Sequence, residues 1–559
     1  MGALAPPPVP AALSFRAVDR DPPSQTRLNA AGRSRIPSNT VSFRHWNLKS
    51  GIAFARCGGG CLFLARGRRS RSIFCSLSAD EVLFADKADG NPPADRSLLE
   101  DIVAKDGLAK EVAVLAFPAL LGQAIEPLAL LTETAFVGRL GAVELAAVGV
   151  SISAFNYVSK CFNIPLLSVT TSFVAEDDAA VLTDDQISEQ QSDAKKYGKQ
   201  VLPAVSSALV LGCAIGLIEA LLLGCQGGRL LKLMGVAKDS VMAPPARQYL
   251  VFRALAAPAA VLSLTLQGIF RGLKDTKTPL YATAIASLSN IVLGATLIFG
   301  LKFGVVGAAF AYGASQYAMM FYLLWCLNKR AILLPPKLKD LKFERFLKNG
   351  GLLLGRTLSI LSIMTLSTSM ATRQGTIPMA AHQVCMQLWL AASLLSDSLA
   401  IAVQALLAGA FAKRDYRRAK LVSYRVLQMG FSLGILMTTI LGTSSSILSK
   451  LFTSDIGVLK VMSTIMPFVA LTQPINSLAF VFDGIHYGAS DFRYSTYAMM
   501  SNALVSSAVL LLAPRRFGLP GVWMGLTLVM ALRAAAGFLR LTFATGPWSF
   551  LRDKWEERA

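Results

Sequence analysis

From Leu108 onward the chain alternates apolar runs of about 20 residues with short charged loops, the period of helices that cross a hydrocarbon layer. Six runs form a first set: 111–134, 144–173, 201–225, 248–270, 279–301 and 305–327. A second set of six covers 347–370, 378–411, 422–449, 458–482, 493–513 and 519–544. Pro165 should kink the second run, because proline removes a backbone hydrogen bond and clashes one turn back. The two sets resemble each other in order. Gly141-Ala142-Val143-Glu144-Leu145-Ala146-Ala147 aligns with Gly375-Thr376-Ile377-Pro378-Met379-Ala380-Ala381, Ser289-Asn290 with Ser501-Asn502, and Phe303-Gly304 with Phe517-Gly518. The predicted fold class is an all-α polytopic membrane protein, twelve transmembrane helices in two six-helix bundles related as parallel repeats. Such repeats are transporter architecture, with substrate held between the halves near the midplane.

Loop charge orients the chain. Loops on the side where the first run begins carry 20 Lys and Arg, counting Arg271, Lys274 and Lys277, against 11 on the other side. Both ends of the membrane region are therefore expected on the cytosolic or stromal face.

Composition agrees with the membrane reading. The chain is 53% hydrophobic and only 16% charged, with a mean hydropathy of +0.50, whereas soluble domains carry about 25% charged residues. The net charge of +21 is uneven, and residues 1–79 supply twelve basic residues against Asp19 and Asp21. The other basic residues flank apolar runs, so no nucleic-acid partner is expected. The eight cysteines form no framework: Cys57 and Cys61 make one C-x3-C with no second pair, and no metal site is expected.

The leader is rich in Arg and Ser, poor in acids and broken early by Pro6, Pro7, Pro8 and Pro10. That is a plastid transit pattern rather than a secretory signal, with Ile73-Phe74-Cys75 resembling a processing site. The expected address is a chloroplast membrane, the envelope first; the alternative is a cytosolic tail on a plasma-membrane protein. The expected organisation is 1–75 transit peptide, 76–107 polar linker, 108–328 first bundle, 329–345 basic loop, 346–545 second bundle and 546–559 tail.

Ionisable groups inside apolar runs cost about 2.5–3.5 kcal/mol each, so each needs a reason. Glu126 and Glu133 stand two turns apart on nearly one face of the first run, with Gln123 beside them and Pro118 and Pro127 in the same helix. A carboxylate away from water exchanges a proton readily, which makes these coupling candidates; the plain alternative for Glu133 is a wet helix end near Arg139. Asp397 is central to the eighth run, with Gln387 and Gln404 in the same helix, and Asp483 closes the tenth. Arg356 can hold an anionic substrate, pair with an acid, or snorkel to the basic loop. Asn163 either lines the cavity or joins helices. Glu219, His382 and His486 read as interfacial polar groups.

These residues carry a resemblance. Pro118-x7-Glu126-Pro127-x5-Glu133-Thr-Ala-Phe-Val-Gly-Arg-Leu-Gly resembles the first two helices of multidrug and toxic compound extrusion (MATE) transporters. Gly355-Arg356-Thr357 and Phe482-Asp483-Gly484-x3-Gly488 resemble the plant DETOXIFICATION branch that includes citrate exporters. Gly268-x-x-Arg271-Gly272-x-x-Asp275 resembles the family's loop after span four. The resemblance implies two bundles in a V and export of organic solutes against H+ or Na+, with no cofactor. Glu133 stands where the family commonly has aspartate, and Asp483 matches a family acid. The expectation is a coupled antiporter for an organic anion such as a carboxylate, or for another small metabolite or xenobiotic. Coupling is expected at Glu126, Glu133, Asp397 and Asp483, and substrate binding at Gln123, Asn163, Arg356 and Gln387. Small-molecule substrate and membrane lipid are the expected partners of a monomeric, non-enzymatic protein. The alternative is a lipid-carrier flippase on a related scaffold.

Overall fold

The structure is a computed structural model that describes residues 52–56, 62–66, 94–181, 202–234, 236, 239–331, 343–453 and 455–552. In the leader, β1 (Ile52–Arg56) pairs antiparallel with β2 (Leu62–Arg66), Ile52 opposite Arg66. The processing site and the Cys57/Cys61 pair lie outside the described residues.

The membrane unit is helical throughout. Its first half contains α1 (Ala94–Gly138), α2 (Ala142–Val181), α3 (Pro203–Leu233), α4 (Ala243–Ala254), α5 (Ala257–Gly272), α6 (Lys277–Ala295, continued by a π turn, Thr296–Gly300) and α7 (Gly304–Asn328). The second contains α8 (Phe343–Thr372), α9 (Thr376–Ala412), α10 (Tyr416–Phe452), α11 (Ile456–Leu471), α12 (Gln473–Gly488), α13 (Phe492–Phe517) and α14 (Leu519–Thr542). Among the described residues nine helices are each long and apolar enough to cross a membrane, and the bent pairs α4/α5 and α11/α12 add one crossing apiece. α7, 25 residues long, stands at the remaining expected run, 305–327. Leu131, Ile447, Leu451, Leu504 and Phe543 stand exposed on the outside, an apolar girdle suited to lipid. The last residues of the expected linker are helical, since α1 begins at Ala94.

Two of the single spans are corrected. The fourth breaks by 49° between α4 and α5, and the tenth by 47° between α11 and α12. Proline opens the second piece of each, Pro258 and Pro474, where its missing N–H costs nothing. By contrast α1 and α2 run unbroken through Pro118, Pro127 and Pro165. Small residues keep the breaks in place. A Cβ on Gly216 of α3 would lie 2.7 Å from Pro258 Cα, and one on Gly434 of α10 only 2.4 Å from Pro474 Cα.

The same devices recur in both halves, which establishes the parallel repeat in three dimensions. Gly268 and Gly272 bring α5 onto α2, where added Cβ atoms would fall 3.0 Å from Leu167 O and 2.8 Å from Thr171 O. Gly484 and Gly488 bring α12 onto α9 in the same way, with Cβ positions 2.4 Å from Ala400 O and 2.9 Å from Gln404 O. After each pair the chain turns through a left-handed residue, Lys274 (φ 59°) or Ser490 (φ 53°), to an aspartate. Asp275 then meets Arg330 at 2.6 Å and Asp491 meets Arg540 at 2.8 Å. In the loop at Asp275, burial raises the carboxyl, but hydrogen bonds from Thr278 and the Arg330 guanidinium outweigh it and hold it below the ordinary carboxylate range.

The halves join at one end, the one where α1 begins. Phe173 of α2 meets Phe346 of α8 edge-on, ring centroids 4.9 Å apart, and Arg345 of α8 pairs with Glu176 of α2. Arg418 of α10 donates through Nη2 to both oxygens of Glu111 on α1, at 2.8 and 2.9 Å. Gln404 of α9 donates to Ser168 O at 2.8 Å and to Ser172 Oγ at 2.9 Å. Ser172 Oγ in turn donates to Tyr487 O of α12 at 2.8 Å. These contacts hold the halves together at the end where α1 begins.

Candidate functional site

The helices of the first half enclose a cavity of about 350 Å3 that reaches the second half only through Asp397 of α9. Residue chemistry explains why it stays open. α1 presents Gln123, Glu126 and Glu133 at intervals of three and seven, one helical face, and these groups cannot be buried dry. α6 adds Thr283, Ser287 and Asn290, and α7 adds Tyr312, Ser315 and Gln316. Two arginines complete the lining, Arg253 from α4 and Arg271 from the last turn of α5.

Glu133 is not a wet helix end. Its side chain is 6% exposed, and Oε1 accepts from Tyr249 Oη at 2.5 Å and from Arg253 Nη1 at 3.3 Å. Arg253 Nη1 also donates to Tyr249 Oη at 2.5 Å, and its guanidinium lies 3.6 Å from the Tyr312 ring centroid. The break between α4 and α5 makes this possible: it ends α4 just past Arg253 and turns Tyr249 and Arg253, one turn apart, towards α1. A buried acid, phenol and guanidinium in one chain of contacts couple strongly, because the low dielectric amplifies any change in charge among them.

The other end of the cavity is built differently. Gln123 Nε2 donates to Asp397 Oδ2 at 2.8 Å, a link between the halves. Arg271 interacts electrostatically with Asp397 and Glu126. The α5–α2 glycine contact places it, and the helix C-terminus favours a cation there.

Of the eight residues expected in the site, Gln123, Glu126, Glu133 and Asp397 line this cavity together. The other four lie elsewhere. Asp483 takes Arg356 Nη2 on Oδ1 at 2.5 Å and Arg533 of α14 on Oδ2, so all three charges are engaged inside the second half. Arg356 also donates to Tyr487 Oη, and of its three sequence readings the acid pair is the one observed. Asn163 is buried outside the cavity lining, and Gln387 is exposed on α9, also outside it.

Three residues read as interfacial polar groups are buried within the protein. Glu219 is 1% exposed and pairs with Ser159 Oγ between α3 and α2. His382 is fully buried with its ring 5.8 Å from that of Trp523, and His486 is buried beside Tyr494. Sequence reasoning missed Tyr249, Arg253 and Arg533 and placed Arg271 in a loop. The signal for the arginines was the insertion cost already applied to the acids.

Two repeated helical halves joined at one end, with an ionisable cavity in the first, define a polytopic membrane transporter. The MatE family profile matches residues 192–296 and 354–512. Protein DETOXIFICATION 45, chloroplastic, from Arabidopsis thaliana is 52% identical over 448 residues, 79% of this chain and 80% of that protein. DETOXIFICATION 44, chloroplastic, is 47% identical over 79% of this chain and 84% of that protein, and DETOXIFICATION 42 is 45% identical over 80% and 94%, both from the same plant. The crystal structure of MATE in the bent conformation shares the fold at 20% identity, with a TM-score of 0.68 over 77% of this chain and 94% of that one. The Vibrio cholerae MATE transporter VcmN in the bent form does so at 16% identity, TM-score 0.67, over 78% and 97%. This chain belongs to the multidrug and toxic compound extrusion family of transporters.

Proposed function

We propose that the chain is a proton-coupled antiporter that moves a small organic anion by alternating access between its two halves. The observation that carries this is the cavity itself, where Glu126, Glu133 and Asp397 share one space with Arg253 and Arg271. Protons suit it better than Na+. A sodium ion needs several free oxygens, whereas Glu133 Oε1 already takes a phenol and a guanidinium and a proton needs only one oxygen. Neutralising Glu133 releases Arg253 and Tyr249 from α1, and Pro118 and Pro127 leave α1 short of backbone bonds where it would bend. A bend there narrows the cavity and expels substrate. The lipid-carrier reading wants a strongly basic cavity, and here three acids face two arginines.

Reconstituted protein in liposomes tests the coupling. An imposed pH gradient is expected to accelerate citrate movement, used as a carboxylate probe, while a Na+ gradient alone does not. Flux driven by Na+, or flux of tetraethylammonium alone, would overturn the reading.

We further propose the chloroplast envelope as its membrane, supported by the acid-poor leader and by the chloroplastic designation of DETOXIFICATION 45 and 44. A fluorescent reporter fused to residues 1–79 should enter plastids; a purely cytosolic signal would remove the assignment.

A further inference from the structure

The two arginines of the cavity differ in one respect. Arg253 is committed: it donates to Glu133 and Tyr249 and lies over Tyr312, so its charge is spent within the protein. Arg271 is not. Its side chain makes no hydrogen bond or ion pair with any described residue, yet it lines the cavity and is partly open to it. Glu126 on α1 and Asp397 on α9 are the charges that act on it, and the lining from α2, α6 and α7 is uncharged. Asp397 is tied to Gln123 at 2.8 Å rather than to the guanidinium.

A guanidinium held in a cavity with its donors unused is an anion receptor, since five N–H groups in a rigid fork match a carboxylate. Thr276, Thr283 and Gln316 stand in the same lining and offer neutral donors to the rest of an oxygen-rich molecule. A volume of about 350 Å3 admits a small organic acid.

We propose that Arg271 is the residue that binds the carboxylate of the transported anion and sets the charge preference of the carrier, an inference that rests on the organic-anion reading above. An arriving carboxylate takes up the guanidinium on which Asp397 and Glu126 act, while Gln123 keeps Asp397 in place. Without Arg271 the cavity holds three acids and one committed arginine, a lining that suits cations.

The test uses the full chain in liposomes, with citrate and tetraethylammonium as probes. Arg271→Gln is expected to raise the citrate KM by about tenfold to a hundredfold, the worth of a charge-assisted hydrogen bond, with a much smaller change in kcat. Arg271→Lys restores part of the affinity because charge is kept and the fork is lost. Arg271→Gln should also take up tetraethylammonium that the parent protein excludes. A second measurement avoids folding of the variant altogether: citrate, and not tetraethylammonium, should protect Arg271 of the unmodified protein from phenylglyoxal, read by mass spectrometry of its peptide. An unchanged citrate KM in Arg271→Gln, or no protection, overturns the role of Arg271 while leaving anion transport standing. A parent protein that moves tetraethylammonium and no carboxylate overturns both.

Discussion

Glu133→Gln should abolish transport driven by a pH gradient while leaving the protein folded and in the membrane. Glutamine keeps the shape and an acceptor oxygen for Tyr249 Oη, which now sits 2.5 Å from Glu133 Oε1. It cannot ionise, so it fixes the site in one charge state. Arg253 loses its counter-ion, but it retains the Tyr249 oxygen at 2.5 Å and the Tyr312 face at 3.6 Å, which limit the cost of the unpaired charge. Citrate flux under a gradient is expected to fall to the level of protein-free vesicles. Counterflow exchange at equal pH should persist, because the anion is held at the other end of the cavity. Glu126→Gln should show part of the same defect, two turns away on the same helix face. Gradient-driven flux that survives in Glu133→Gln at matched membrane abundance would reduce the Glu133–Tyr249–Arg253 chain to a structural clasp.

The twelve spans were legible because the bilayer imposes one simple rule, a long apolar run per crossing, and this chain obeys it from Leu108 onward. The breaks before Pro258 and Pro474 were not legible. Pro165, Pro118 and Pro127 lie in equally apolar surroundings and interrupt nothing. What distinguishes the two kinds is the partner: Gly216 and Gly434, distant in sequence, let a neighbouring backbone approach at the break. The acids of the cavity were found by asking what a carboxylate costs in an apolar run. Applied evenly, the same question would have found Arg253 and Arg533 as well. Arg271 escaped because the last turn of a helix and the first residue of a loop look alike in sequence, and only the α5–α2 contact turns it into the cavity. The pairing of Arg356 with Asp483 needed long side chains to meet between α8, α12 and α14, which no local pattern records.

That pairing leads us to propose a structural role for Asp483. Both of its oxygens are engaged, Oδ1 by Arg356 at 2.5 Å and Oδ2 by Arg533. Arg356 and Arg533 are themselves nearly buried, with side chains 6% and 10% exposed. One carboxylate therefore answers two guanidinium charges in the core of the second half. Asp483→Asn leaves both uncompensated, and breaking a buried pair of this kind costs about 3–5 kcal/mol. The expected result is a large fall in the thermal midpoint of the detergent-solubilised protein and a reduced membrane yield. Adding Arg533→Gln should recover part of the loss, because one unmatched cation is removed together with its need for a partner. The molecules of Asp483→Asn that do reach the membrane should still couple citrate flux to the pH gradient per unit of protein. Full stability with coupling lost would return Asp483 to the transport machinery, as a second proton site acting across the seam from Glu133.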